Sequence, residues 1–222
     1  MPKYERVIVS FTSYPLRIDN CSFVVDSLLK SEIPLSIELN LSLLEFPKGV
    51  LSLPILLQDR VANGSLSVNW LPTNTGVFKK IIPVLKKHYG ESYILLSIDD
   101  DRLYGPLYAK YMVEKLKDCD VYCCDRGIVG NRVAYRSSIF TPVFWENLSK
   151  DMVATGIDDT YIQRYLKYCN ANCKFFVDAD IQKQIRVFNA VFGHTYPRDL
   201  QKRATLLADR CFSKILTKPI DR

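Results

Sequence analysis

The chain has 222 residues, 48% of them hydrophobic and 24% charged, which is enough for one buried core and excludes a disordered chain. No apolar run is long enough to cross a bilayer. The opening MPKYERVIVSF has an acid and a strand-like run where a secretory leader needs a basic segment and an apolar helix, so a soluble, cytosolic protein is expected. The formal net charge is +6, unevenly placed: residues 198–222 hold seven Lys/Arg against three Asp, a net +4.

The first half alternates strands and helices. RVIVSF (6–11) reads as a strand buried on both faces, and a helix is expected from Ile18 to Lys30 with Phe23, Leu28 and Leu29 inward. LSIELNLSL (35–43) alternates apolar and polar residues as a strand does. Residues 53–63 read as a short helix with Pro54 in its first turn and Asn63-Gly64 at its exit. SLSVNWL (65–71) is the third strand. VFKKIIPVLKKHYG (77–90) is a helix that bends at Pro83 and stops at Gly90, and SYILLSI (92–98) is the fourth and most apolar strand. This order predicts a parallel, doubly wound sheet, with ligands at the carboxyl ends of its strands.

The rhythm then changes. Residues 107–118 read as a helix, 119–124 and 131–140 as strands, 158–168 as a helix and 173–178 as a strand, so a mixed sheet is expected. A final helix over 199–216 has Leu200, Ala204, Leu207, Cys211 and Ile215 on one face and Lys202, Arg203, Arg210 and Lys214 on the other. Two readings of it compete: packing of the stripe on the core, or contact with an anionic membrane surface through 198–222. Its basic residues are not interleaved with stacking aromatics, which argues against nucleic acid. Among seven scattered cysteines, Cys119–Cys123 and Cys169–Cys173 share a four-residue offset, but reduced, mostly buried thiols fit better than zinc ligands.

The chemistry sits at strand ends. YILLSIDDD (93–101) drives into the core and finishes on Asp99, Asp100 and Asp101. Three adjacent acids repel, and a hard divalent cation such as Mg²⁺ or Mn²⁺ relieves them. In an extended chain Asp99 and Asp101 point to one side, towards a metal. Asp100 points to the other, to pair with a base or cap the next turn. Thr12, Ser13 and Tyr14 end the first strand and should face the same crevice. A metal on two carboxylates leaves positions for phosphate oxygens, and Lys79 and Lys80, after the turn PTNTG, are the basic partners at hand. The plainer alternatives are a solvated acidic loop and solvated lysines. A second acidic pair, Asp158-Asp159, opens a later helix. Either or both can serve there as N-cap and first-turn acid, or one can be a general base for an alcohol nucleophile.

These stretches together resemble the small bacterial glycosyltransferases of the A-type fold, of the kind that build capsule and lipopolysaccharide. The likeness spans most of residues 5–185. VIVSFTSYPLRI (7–18) resembles their first strand and nucleotide loop, and NTGVFKKIIPVL (74–85) is similar to a segment reading Asp-x-Gly-Pro-x-x-Lys-hydrophobic-x-Pro. YILLSIDDDRLY (93–104) resembles the strand with the Asp-x-Asp metal motif, and GIDDTYI (156–162) their acidic pair. The resemblance implies a single α/β domain, Rossmann-like, mostly parallel with a mixed C-terminal half. Residues 1–104 would bind nucleotide and 105–197 the acceptor, with 198–222 as a basic helix. It implies a nucleotide-sugar donor near Thr12, Ser13, Tyr14, Arg17, Lys80, Asp99 and Asp100, and Mn²⁺ or Mg²⁺ on Asp99 and Asp101. A late histidine completes the metal site in some members, and His194 holds that place in the chain. Inverting members use the second acid of the pair as base, here Asp159 beside Asp158, towards a saccharide or lipid-linked acceptor at the inner face of the membrane. Asn74 stands where the family has Asp, Val77 where it has Pro, and 127–138 lacks the family's two prolines. A sugar-phosphate nucleotidyltransferase is the nearest enzymatic alternative, although FTSYPLRI has no glycine. A non-catalytic membrane-surface protein on the same fold is the other.

Overall fold

The structure is a computed structural model that describes residues 5–124, 132–187 and 197–216, with side chains to 212 in the last segment. Its N-terminal half is β1 (Val7–Thr12), α1 (Asn20–Leu28), β2 (Ser36–Ser42), α2 (Ile55–Ala62), β3 (Ser67–Leu71), α3 (Ile82–Lys87) and β4 (Ile94–Ser97). The rest is β5 (Arg102–Tyr104), α4 (Tyr108–Lys115), β6 (Val121–Cys123), β7 (Val133–Arg136), α5 (Pro142–Glu146), α6 (Lys150–Thr155), α7 (Asp158–Tyr168), β8 (Cys173–Phe175), α8 (Ala179–Lys183), β9 (Ile185–Val187) and α9 (Arg198–Leu216). A seven-stranded sheet runs β3-β2-β1-β4-β7-β6-β8, and β5 pairs with β9 in a small separate ribbon.

The first four strands are mutually parallel, as the alternation of elements requires. The chain then reverses: β7 is antiparallel to both β4 and β6, and β8 is again parallel to β6. The fold is therefore a single α/β domain on a mostly parallel sheet with a mixed C-terminal half. Val7, Val9 and Phe11 bury against the α1–α2 side, and Ile8 and Leu95 face the layer that contains Phe78, Val84, Phe144 and Tyr161.

Several local expectations are corrected. Phe23 and Leu29 are 54% and 42% exposed, because α1 turns Cys21, Val24, Val25 and Leu28 inward instead. The helix expected over 77–90 is two pieces, a 3₁₀ turn Gly76–Lys80 and α3. Pro83 lies in the first turn of α3, where its missing N–H costs nothing, but it cannot continue the turn before it. The strand expected over 131–140 is only β7, followed by a 3₁₀ turn. Alternate residues of β2 do not face water: Glu38, Asn40 and Ser42 are all buried.

α9 packs on α6 and α7. Its buried stripe is Ala204, Ala208 and Phe212, rotated from the expected face, with Leu200, Leu207 and Cys211 only partly buried. Phe212 meets the rings of Tyr161, Tyr165 and Tyr168 at 5.0, 5.6 and 5.7 Å between centroids, and Arg164 pairs with Asp209 at 2.7 Å. The small Ala204 and Ala208 allow the close approach. No helix among the described residues is long and apolar enough to cross a membrane. All seven cysteines are free, and Cys21, Cys119, Cys123 and Cys124 are buried.

Candidate active site

β1 and β4 are neighbours, so the residues leaving them meet at the carboxyl edge of the sheet. Ile98 is fully buried. Asp99 follows it, Asp100 and Asp101 form a turn, and β5 carries the chain away. The turn abolishes the alternation expected of an extended chain. Arg17 Nη2 therefore reaches both Asp100 Oδ1 at 2.6 Å and Asp101 Oδ2 at 3.0 Å. Burial pushes the Asp100 carboxyl up, while a 2.7 Å hydrogen bond from Ser13 Oγ and the Arg17 charge pull it down; the upward effect wins. Asp99 pairs with Lys80 Nζ at 3.1 Å, and its backbone N–H donates to the hydroxyl of Tyr104.

Of the residues after β1, Ser13 and Arg17 lie against the acidic turn. Tyr14 lies under the Arg17 guanidinium, 5.9 Å from its ring centroid, a cation–π contact that steadies the arginine. Thr12 is on the same edge, but its hydroxyl donates to the Asn40 carbonyl at 2.7 Å and ties β1 to β2.

The two lysines diverge. Neither is the solvated helix lysine of the plain reading, since Lys79 and Lys80 are 2% and 7% exposed. Lys79 Nζ turns to Glu45 and to Asn74 Oδ1 (2.9 Å), away from the acidic turn. Asn74 Oδ1 also accepts from the Gly76 N–H at 3.0 Å, so it ties the turn before the 3₁₀ segment to the Lys79 ammonium. Gly76 has φ +57°, a conformation that a side chain resists.

Lys80 joins the two acidic clusters. Burial opposes its charge, yet Asp99, Asp158 and Asp159 outweigh that and raise its pKa. Asp158 opens α7 and is buried; Asp159 is half-buried. Neither is the N-cap, which is Ile157 without a side-chain cap bond, because Gly156 with φ +66° ends α6 one residue earlier. Asp158 Oδ2 is buried without a hydrogen-bond partner. Burial raises the Asp158 carboxyl to about 7, against the pull of Lys80 and with the push of Asp159. Two adjacent acids in different surroundings are the usual arrangement for dividing proton-transfer roles.

A divalent cation suits part of this set. The carboxylates are hard donors, and Asp101 Oδ1 is buried without a hydrogen-bond partner, with Arg102 Nε at 3.7 Å. Among the described residues no group of three His, Cys, Asp or Glu is arranged to hold a metal, and His194 lies outside them. Sequence reasoning missed Arg102 and Tyr104, which flank the acids; the run DDDRLY held the signal, since a base directly after three acids is a natural partner. It also missed a polar group under β1–β3, with Ser10, Glu38, Asn40 and His88 buried and Asn69 half-buried.

No family model matches the chain, and no curated protein matches it in sequence. Solved structures do match in fold. A mannosyltransferase of Pyrobaculum calidifontis, in complex with GDP-Man and Mn²⁺, aligns with 99% of this chain at 16% identity and a TM-score of 0.61. S. aureus TarS aligns with 97% at 14% identity and 0.60. A 4-diphosphocytidyl-2C-methyl-D-erythritol synthase of Anaerococcus prevotii aligns with 91% at 10% identity and 0.52. The chain spans 66% and 40% of the first two and 96% of the third. At these identities the likeness establishes the fold alone, an α/β architecture.

Proposed function

We propose that the chain is a glycosyltransferase that moves a sugar from a nucleotide-sugar donor to an acceptor hydroxyl, with inversion and with help from a divalent metal. The observation that carries this reading is Lys80, a buried cation shared by Asp99 at the end of β4 and by Asp158 and Asp159 at the start of α7. In this reading the cation faces phosphate, Asp99 faces the metal and Asp159 serves as base, all close to Lys80. The mannosyltransferase of the same fold holds GDP-Man and Mn²⁺.

In this reading Thr12, Ser13, Tyr14, Arg17 and Lys80 hold the donor, the two cations facing its diphosphate, with Asp100 keeping Arg17 in place. Asp99 and Asp101 would hold Mn²⁺ or Mg²⁺, which supplies charge stabilisation for the leaving diphosphate. Asp159, the less buried of its pair, accepts the proton of the acceptor hydroxyl. That oxygen forms a bond to the anomeric carbon as the bond from that carbon to the diphosphate oxygen breaks, and the electron pair leaves with the nucleoside diphosphate. Asp158, buried and protonated up to about pH 7, keeps a second negative charge from competing beside it. The acceptor is a saccharide or lipid-linked saccharide of a surface polysaccharide. The exposed face of α9, with Lys202, Arg203 and Arg210, is the side that would rest on an anionic membrane.

The test is thermal stabilisation by nucleoside diphosphates and nucleotide sugars, with and without Mn²⁺, followed by turnover of the stabilising donor. Asp101→Asn is expected to lose metal-dependent stabilisation. Asp159→Asn is expected to keep binding and lose roughly 10²–10⁴-fold in turnover. Full activity in both variants overturns the mechanism. The synthase, matched over 96% of its length, favours a second reading as a nucleotidyltransferase. Release of pyrophosphate from a nucleoside triphosphate and a sugar phosphate would select it.

A further inference from the structure

Segment 76–88 carries Lys80, and it is held to the sheet in two different ways. On the β1–β4 side the contact is apolar, with Phe78, Ile81, Val84 and Leu85 packed in one core with Ile8 and Leu95. On the β2–β3 side it is a continuous polar file, buried at Ser10, Asn40, Glu38 and His88 and half-buried at Asn69. His88 Nε2 lies 2.7 Å from Glu38 Oε1. Asn69 Nδ2 donates to Glu38 Oε2 at 2.7 Å and to Asn40 Oδ1 at 2.9 Å. Asn40 Nδ2 donates to Ser10 Oγ at 2.9 Å, and Ser10 Oγ donates to the backbone carbonyl of Lys80. Lys87 Nζ adds bonds of 3.1 Å to both Glu38 Oε2 and Asn69 Oδ1. Burial opposes ionisation of Glu38, but bonds from Asn69, His88 and Lys87 hold its carboxyl below the usual range.

Both ends of the file finish on the same segment, the Lys80 carbonyl at one and Lys87 with His88 at the other. Apolar packing alone would hold the segment down but tolerates sliding. A buried polar file contributes little net attraction, yet any slip leaves donors and acceptors unsatisfied, so it selects one register. That register sets where the Lys80 ammonium lies.

We propose that Ser10, Asn40, Asn69 and Glu38 are positioning residues, which fix the docking register of segment 76–88 and so hold the Lys80 ammonium beside Asp99 for the donor diphosphate. The proposal rests on the transferase reading for the ligand, but not for the position of the lysine. Ser10→Ala removes the bond to the Lys80 carbonyl. It is expected to weaken nucleoside-diphosphate binding and raise the donor KM about tenfold, short of the ~10²-fold that a 1 Å misplacement can cost. The acceptor KM should stay unchanged. A crystal structure of Ser10→Ala reads the position without turnover: the contact of Lys80 Nζ with Asp99, 3.1 Å in the wild type, should lengthen or be lost. Lys87→Met, at the half-exposed end of the file, leaves no core cavity; the same changes are expected in smaller measure, and it decides the matter if Ser10→Ala does not fold. Wild-type donor binding together with an unmoved Lys80 ammonium in a folded variant overturns the proposal. A wild-type protein that binds no nucleotide sinks the transferase reading instead, and the place of the Lys80 ammonium in Ser10→Ala then decides the positioning role alone.

Discussion

Asp158 offers a test that needs no substrate. Its carboxyl titrates near 7 in the fold, against an ordinary 3.8. Between those values the folded chain holds a proton that the unfolded chain has released. Stability therefore falls as pH rises from about 4 to about 7, and this contribution is level on either side. The interval corresponds to on the order of 4 kcal/mol at ~1.4 kcal/mol per pH unit. Asp158→Asn keeps the shape and never ionises, so it escapes this loss. The pH dependence of the variant relative to wild type should therefore rise through that window and then stop. At ~2–4 °C per kcal/mol for a domain of this size, the relative gain is roughly 8–16 °C in Tm. The assay is a series of thermal melts of both proteins across the window, read as the difference between the two curves, in which groups unaffected by the substitution cancel. Parallel curves would refute the buried, protonated acid. A wild type that gains on the variant as pH rises would mean that Lys80 outweighs burial and holds Asp158 ionised.

Lys80→Met leaves Asp99, Asp158 and Asp159 without their shared cation. Removing one partner from a buried pair should cost about 3–5 kcal/mol, measured by urea unfolding at neutral pH, and the loss should shrink in acid as the carboxylates protonate. Phe212→Ala removes the ring that meets Tyr161, Tyr165 and Tyr168. It should cost about 3–5 kcal/mol and raise hydrogen exchange in α9 before it rises in the sheet.

The four parallel strands were legible because each is an apolar run closed by turn residues. Their carboxyl ends gave the site its place. Asp99–Asp101 and the pair Lys79-Lys80 could be named from their places after strands, and Asp158–Asp159 from its place at the start of a helix. Which lysine reaches the acids could not: Lys79 and Lys80 are adjacent and chemically equal, and only the 3₁₀ turn sends one to Asp99 and the other to Glu45 and Asn74. Asp100 pairs with a base, as its middle place predicts, but a turn replaces the extended backbone there and brings Asp101 to the same arginine. Glu38 and Asn40 were hidden by their own pattern, since polar residues at alternate positions of a strand look the same whether they face water or a buried polar file. The short α5, α6 and α8 went unseen because five or six residues hold too little periodicity to register.

β4 stands at the seam of the sheet, parallel to β1 on one side and antiparallel to β7 on the other. That position has a consequence for biosynthesis. β1 is made well before β4 and can receive it at once, but β7 begins 36 residues after β4 ends, from Ser97 to Val133. At typical synthesis speeds this interval lasts roughly 2–7 s. Throughout it, Ile94–Ser97 is a strand edge with open hydrogen-bonding groups and no charge of its own, the profile of a segment that recruits foreign strands. The three aspartates that follow emerge from the ribosome next, and with Glu91 just before the strand they put negative charge at both its ends until β7 arrives.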